Sequence, residues 1–126
     1  MYLTYEEYAG MGGGVDAVAF LPLEEKARSQ IDRATHGRLK GEEPVRDAAK
    51  RCAYELIEEI RMEEEARAAD AGREISGMSS DGISVSFAAQ SNAVGAAARR
   101  EQILRDWLGD ELSRSGVNLL YAGSDA

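Results

Sequence analysis

Few side chains in this sequence are equipped for catalysis. Cys52 is the only cysteine and His36 the only histidine. A single thiol forms neither an internal disulfide nor a multi-cysteine zinc site. A Ser-His-Asp triad or a histidine-based metal centre would have to be assembled across subunits. Carboxylates are more plentiful: Asp32 and the adjacent pairs Glu58-Glu59 and Glu63-Glu64 offer the paired acids that proton transfer uses. Neighbours on a helix diverge by about 100°, so neither pair converges on one substrate. A solvated helix face is the simpler reading. Gly12, Gly13 and Gly14 have the composition of a phosphate cradle, but no Gly-Lys-Ser/Thr follows and no buried strand precedes them. The spacing predicts a mobile loop there. Cys52 falls on an apolar helical stripe, as a buried core residue does. His36 next to a helix C-terminus complements the dipole. Trp107, at helical spacing with Leu104 and Leu108, reads as core. Neither catalysis nor a cofactor nor a metal is expected.

The elements that would position these residues are mostly helices. Thr4 and Glu7 fit a capping box over a short helical turn ending at Gly10. Pro22 suits the first position of a second helix, with Leu23, Ala27, Ile31 and Ala34 as its stripe and Gly37 as its stop. Pro44 opens a longer, central helix in the same way. Its stripe is Val45, Ala49, Cys52, Leu56 and Ile60, widened by Ala48, Ala53 and Ile57. Acidic residues then take over at Glu63, Glu64 and Glu65, while alanines as far as Ala71 can keep the backbone helical. From Gly72 the period changes: Ile83, Val85 and Phe87 alternate with Ser84 and Ser86 as in a one-faced strand, Ile75 starts a partner, and Met78 to Gly82 form the turn. A last helix runs from Ser91 or Asn92 to Leu112, with Val94, Ala97, Ile103, Leu104, Trp107, Leu108 and Leu112 buried. Ser115 and Gly116 break it, leaving Val117 to Tyr121 as an extended apolar tail. The expected fold is mainly α: a small bundle of three to four helices, with a short β-hairpin or extended excursion at 72–90 and a tail at 113–126.

Length and charge narrow the possibilities. The 126 residues suit one domain, 1–126, and a composition of 44% hydrophobic and 30% charged residues is ordinary for a folded chain. With 23 acidic against 15 basic residues the net charge is −8, which opposes a chain-wide affinity for phosphate backbones. Apolar runs are far shorter than the roughly 20 residues of a membrane span. Met1 to Glu7 has neither the basic nor the apolar region of a signal peptide, so the chain is expected to stay in a cytoplasm. Two segments stand out as sticky: Ile83 to Phe87 and Val117 to Tyr121 carry apolar side chains and free backbone groups that so small a domain covers poorly; oligomerisation would cover both, and the alternative is that both fold back onto their own helices.

The order of several motifs resembles the small head-tail connector proteins of long-tailed bacteriophages and prophages. Tyr2-Leu3-Thr4-Tyr5-Glu6-Glu7-Tyr8 before a glycine-rich turn is similar to the start of that family. Phe20, Ala27, Ile31, Asp32, Thr35, Gly37 and Arg38 look like its first full helix and exit, and Val45, Cys52, Tyr54 and Leu56 like its second. Ile75-Ser76, then Gly82, Ser84, Val85, Ser86 and Phe87, resemble its middle segment. Leu104, Trp107, Leu108 and Gly109, then Leu119-Leu120-Tyr121 and Gly123, resemble its last helix and tail. Gly77, Phe87 and Ala122 depart from residues common there.

The resemblance implies a virion protein of the neck, held in the host cytoplasm before assembly. Its copies would form a ring, of about twelve on the portal, by a heterologous interface. DNA would pass through without specific binding, and a downstream neck or tail-completion protein would dock below. Ile83, Val85, Phe87, Val117, Leu119, Leu120 and Tyr121 are the expected subunit and portal contacts. Glu63, Glu64 and Glu65 are candidates for an acidic lumen wall that repels phosphates. The net charge alone also fits a free-standing acidic regulator or DNA mimic that binds a basic partner, and an enzyme subunit whose partner brings the missing groups remains a third class.

Overall fold

The computed structural model describes the backbone of residues 1–76, 82–113 and 116–121; the side chains of 70–94 lie outside that description. Its helices are α1 (Tyr5–Gly10), α2 (Ala17–Ala34), α3 (Asp47–Ser76) and α4 (Gly82–Leu108). The bundle is mainly helical, as the apolar periodicity indicates, and the described residues contain no strand beyond an isolated bridge between Leu112 and Asn118.

Helix α1 begins with the capping box: the Glu7 N–H donates to Thr4 Oγ1 at 3.1 Å, and the Thr4 N–H donates to Glu7 Oε1 at 3.1 Å. These bonds satisfy two of the amides that a helix start leaves free. The glycines after α1 do not form an open loop. Tyr8 is fully buried, and a Cβ on Gly13 would stand 2.2 Å from its ring, so only glycine fits there.

The start of α2 corrects the reading of Pro22. Asp16 is the N-cap, accepting from the Ala19 N–H at 2.8 Å, and Pro22 lies inside the helix. A proline here withdraws a hydrogen bond from the Val18 carbonyl. Val18 is 83% exposed, so water can take the proline's place. At the other end His36 and Gly37 both take positive φ, and the Gly37 N–H bonds to the Asp32 carbonyl at 2.8 Å. Pro44 likewise precedes its helix instead of opening it, because α3 starts at Asp47.

Helix α3 is the central element. Ala49, Cys52, Ala53, Leu56, Ile57 and Ile60 are all buried, with Val45 and Ala48 packed beside them, as the spacing predicts. Helices α2 and α4 pack on either side of it. Arg99 meets Glu59 while Trp107 meets Glu55, so α4 runs antiparallel to α3. The core is completed by Leu3, Tyr8, Phe20, Leu23, Ala27, Ile31, Leu39, Leu108 and Leu119.

Two expectations fail in this region. The 72–90 excursion is not a hairpin in its described parts: α3 continues to Ser76, and Ile83, Val85 and Phe87 lie in the first turns of α4. A short apolar run is ambiguous between periods, and Ile83 and Phe87 are also i and i+4 of a helix. Of the turn placed at Met78 to Gly82, Met78 to Asp81 fall outside the described residues and Gly82 is the first residue of α4; the Val94 side chain also falls outside them. The last helix ends at Leu108 instead of Leu112, and Leu112 is 54% exposed. Its buried alanine is Ala96, one residue from the expected Ala97, which is exposed.

Candidate interaction surface

The side chains able to do chemistry serve the fold. Cys52 is fully buried, and burial, with the nearby Glu55 charge adding to it, pushes its thiol up to about 12. A thiol so placed is a poor nucleophile. Glu58 and Glu59 point to different neighbours: Glu58 accepts from the Tyr8 hydroxyl and Arg61, and Glu59 from Arg99 Nε at 2.7 Å. Burial alone would raise the Glu58 carboxyl, but the Tyr8 and Arg61 hydrogen bonds outweigh it and hold it below its usual range. Tyr8 is raised in turn to about 12, first by burial and then by the bond to Glu58, and its oxygen accepts from the Val15 N–H at 3.2 Å. Asp32 accepts from the Tyr2 hydroxyl, and Tyr2, desolvated and facing that carboxylate, is raised well above the ordinary phenol value. His36 is exposed at the α2 exit. Trp107 is half-buried against the core, donates to Glu55 Oε2 at 2.8 Å and carries Arg51 over its ring. No group of three or more His, Cys, Asp or Glu able to hold a metal occurs among the described residues.

The acidic triplet on α3 is not an open wall. Glu63 pairs with Arg100 and is 11% exposed, Glu64 pairs with Lys26, and Glu65 pairs with Arg61 at 3.0 Å. Three successive helical residues fan over about 200°, so they meet α4, α2 and their own helix in turn. Only Glu64 and Glu65 retain substantial exposure.

The chain end is the larger correction. The expected docking tail is folded onto its own domain. The Ser113 N–H donates to the Val117 carbonyl at 2.7 Å, the Leu119 N–H to the Glu111 carbonyl at 2.9 Å, and Asn118 Nδ2 to the Gly109 carbonyl at 2.7 Å. Gly116, at φ +86°, makes the turn that reverses the chain. Leu119 is fully buried in the core, Leu120 and Val117 are half-buried, and only Tyr121 is substantially exposed. Arg38 is the clasp: its Nη1 lies 3.1, 3.0 and 2.6 Å from the carbonyl oxygens of Asn118, Leu119 and Tyr121, with the guanidinium over the Tyr121 ring. Leu119 is therefore a core residue and not a subunit contact. Arg38 carries no periodic signal, and its role depends on a partner 80 residues away.

Exposed large apolar side chains are spread over the described surface: Met1, Tyr5, Met11 and Met62 are among them, and two further pairs lie well apart. Val18 and Leu21, 83% and 57% exposed, lie on the first half of α2, whose Ala19 and Leu23 border Glu65 and Ala68 of α3. Leu112 and Tyr121, each 54% exposed, lie by the start of α3, where Arg46 Nη1 donates to the Leu112 carbonyl at 2.8 Å. At 1.5 Å per residue along α3, these patches are about 30 Å apart. Comparison with protein-family models, with curated proteins and with solved structures gives no match.

Proposed function

We propose that the chain is a structural subunit of a phage or prophage neck, assembling as a ring between the portal and the tail and leaving a passage for DNA. The observation that carries this reading is that two unlike pairs of exposed apolar side chains stand about 30 Å apart along the bundle. A ring needs a heterologous interface, in which one surface of a subunit meets a different surface of the next. Val18 and Leu21 on α2, and Leu112 and Tyr121 by the start of α3, provide two such surfaces. The ordered motif resemblance to head-tail connectors and the helical bundle support the same reading. In it, Val117, Leu120 and Tyr121 stay among the expected contacts with Ile83, Val85 and Phe87, whereas Leu119 leaves them.

The acidic-regulator reading is weaker. A DNA mimic presents unpaired carboxylates in a row, yet Glu58, Glu59, Glu63, Glu64 and Glu65 are all engaged by cations of the same chain.

The deciding experiment mixes the purified protein with its cognate portal and images the product by negative-stain electron microscopy. Stacked rings are expected, and Val18→Asp with Leu21→Asp should abolish them while the circular dichroism spectrum is kept. A portal that stays bare at saturating protein would overturn the proposal.

A further inference from the structure

The net charge of −8 conceals a local reversal of sign. Lys26 and Arg33 of α2, Arg67 of α3 and Arg100 of α4 converge on one surface pocket of about 380 Å³, with Glu63 and Glu64 as its carboxylates. That is an excess of two positive charges within one concavity of an acidic molecule. Lys26, Gln30 and Arg33 stand at i, i+4 and i+7 of α2, so they share one face and line the groove for about 10 Å.

The partners divide unevenly. Lys26 is held by Glu64 and Arg100 by Glu63 Oε1, while Glu63 Oε2 is buried without a hydrogen-bond partner. Neither Arg33 nor Arg67 has a hydrogen-bond or ion-pair partner among the described residues. Arg33 in the last turn of α2 is favourable to the helix dipole, but the dipole gives no reason for a second guanidinium from α3 to face the same pocket. Gln30 and Ser29 add neutral donors to the lining. Two unpaired planar forks flanked by two further cations suit a tetrahedral oxyanion, because guanidinium N–H pairs match phosphate oxygens bidentately.

We propose that Lys26, Arg33, Arg67 and Arg100 form a binding site for phosphate groups, carried by a polynucleotide backbone or by free polyphosphate. The site belongs to the single chain and does not rest on the ring reading, so a bare portal and an empty pocket are separate outcomes.

The test is fluorescence anisotropy of a labelled 20-base-pair DNA duplex with the full chain over a series of salt concentrations. Binding is expected at low salt. Two to four neutralised phosphates give a slope of log K against log salt between roughly −2 and −4. Arg33→Ser combined with Arg67→Ser should flatten that slope by about 2, since each lost phosphate contact removes about 1. Both changes are at surface side chains without partners, and circular dichroism checks that the fold is kept. Arg105→Ser removes one positive charge from a residue paired with Glu101 outside the pocket and should leave the slope unchanged. Glu63→Gln removes a carboxylate from the pocket and should tighten binding several-fold. Tripolyphosphate competing beyond its ionic-strength effect assigns the pocket to free polyphosphate; competition no better than matched sodium chloride assigns it to the backbone. No binding at low salt, an unchanged slope in the double variant, or stronger competition by a poly-glutamate peptide than by unlabelled DNA would overturn the proposal.

Discussion

Replacing Leu119 by alanine tests whether the chain end belongs to the core. Its side chain is fully buried beneath a turn that the Ser113–Val117 and Glu111–Leu119 hydrogen bonds fix in place. Truncating a buried leucine removes its transfer free energy and leaves a cavity, together about 2–5 kcal/mol. For a domain of this size that lowers the melting temperature by roughly 10 °C or more. Arg38→Ala should cost about 1–3 kcal/mol, because three carbonyl oxygens lose their shared charged donor. The two residues act on the same segment, so the double variant should lose less than the two single losses added together. Urea unfolding followed by circular dichroism reads all three variants, with Tyr121→Ala, at an exposed side chain, as the mild comparison. A midpoint for Leu119→Ala equal to that of the parent would refute the placement and restore the tail as a free docking segment.

Leu56→Ala should destabilise the protein by about 2–5 kcal/mol, whereas Glu64→Ala, which breaks a pair between half-exposed groups, should change it by less than about 1 kcal/mol; both are read from urea midpoints. Cys52 should react with a thiol reagent at pH 8 only after unfolding, and labelling of the native protein at the denatured rate would contradict its burial. Tyr8 is raised from 10.0 to about 12, so its contribution to stability is complete below pH 10 and is lost as the pH rises towards 12. Glu58, held low, works the other way: its contribution is complete above the ordinary carboxylate range and is lost as acid protonates it in the fold. Tyr8→Phe should therefore flatten the alkaline limb of a stability-against-pH curve.

What the sequence makes legible is what depends on neighbours within a turn or two. The Thr4–Glu7 capping box and the Ala49–Ile60 stripe rest on contacts at i+3 and i+4, and both are in the structure as read. Pro22 misleads because a first-turn proline is the commoner use, whereas this helix starts earlier, with Asp16 as its N-cap. Ile83 to Phe87 misleads because five residues do not separate a period of 2 from one of 3.6. The tail misleads for a different reason: Val117 to Tyr121 has too few residues for a core of its own, and no local pattern shows that Arg38 and the α3–α4 core receive it.

Charge follows the same division between local and distant pairing. The apolar stripe of α3 ends at Ile60, and from there its Glu-rich stretch takes over the contacts to both neighbours. Glu63 reaches α4 through Arg100 and Glu64 reaches α2 through Lys26, while Arg61 binds Glu58 and Glu65 along α3 itself. The exposed pairs among these, Lys26–Glu64 and Arg61–Glu65, contribute about 0–1 kcal/mol each, far less than one buried leucine. The acidic residues of α3 thus set which helix lies where, while Leu56, Ile57 and their neighbours supply most of the free energy. It also explains why the net charge is a poor guide to the surface: with Glu64 paired to Lys26 and Glu63 Oε1 to Arg100, the groove they line keeps the guanidinium groups of Arg33 and Arg67, which have no partner among the described residues, and the most acidic stretch of the sequence borders the most basic pocket described in the fold.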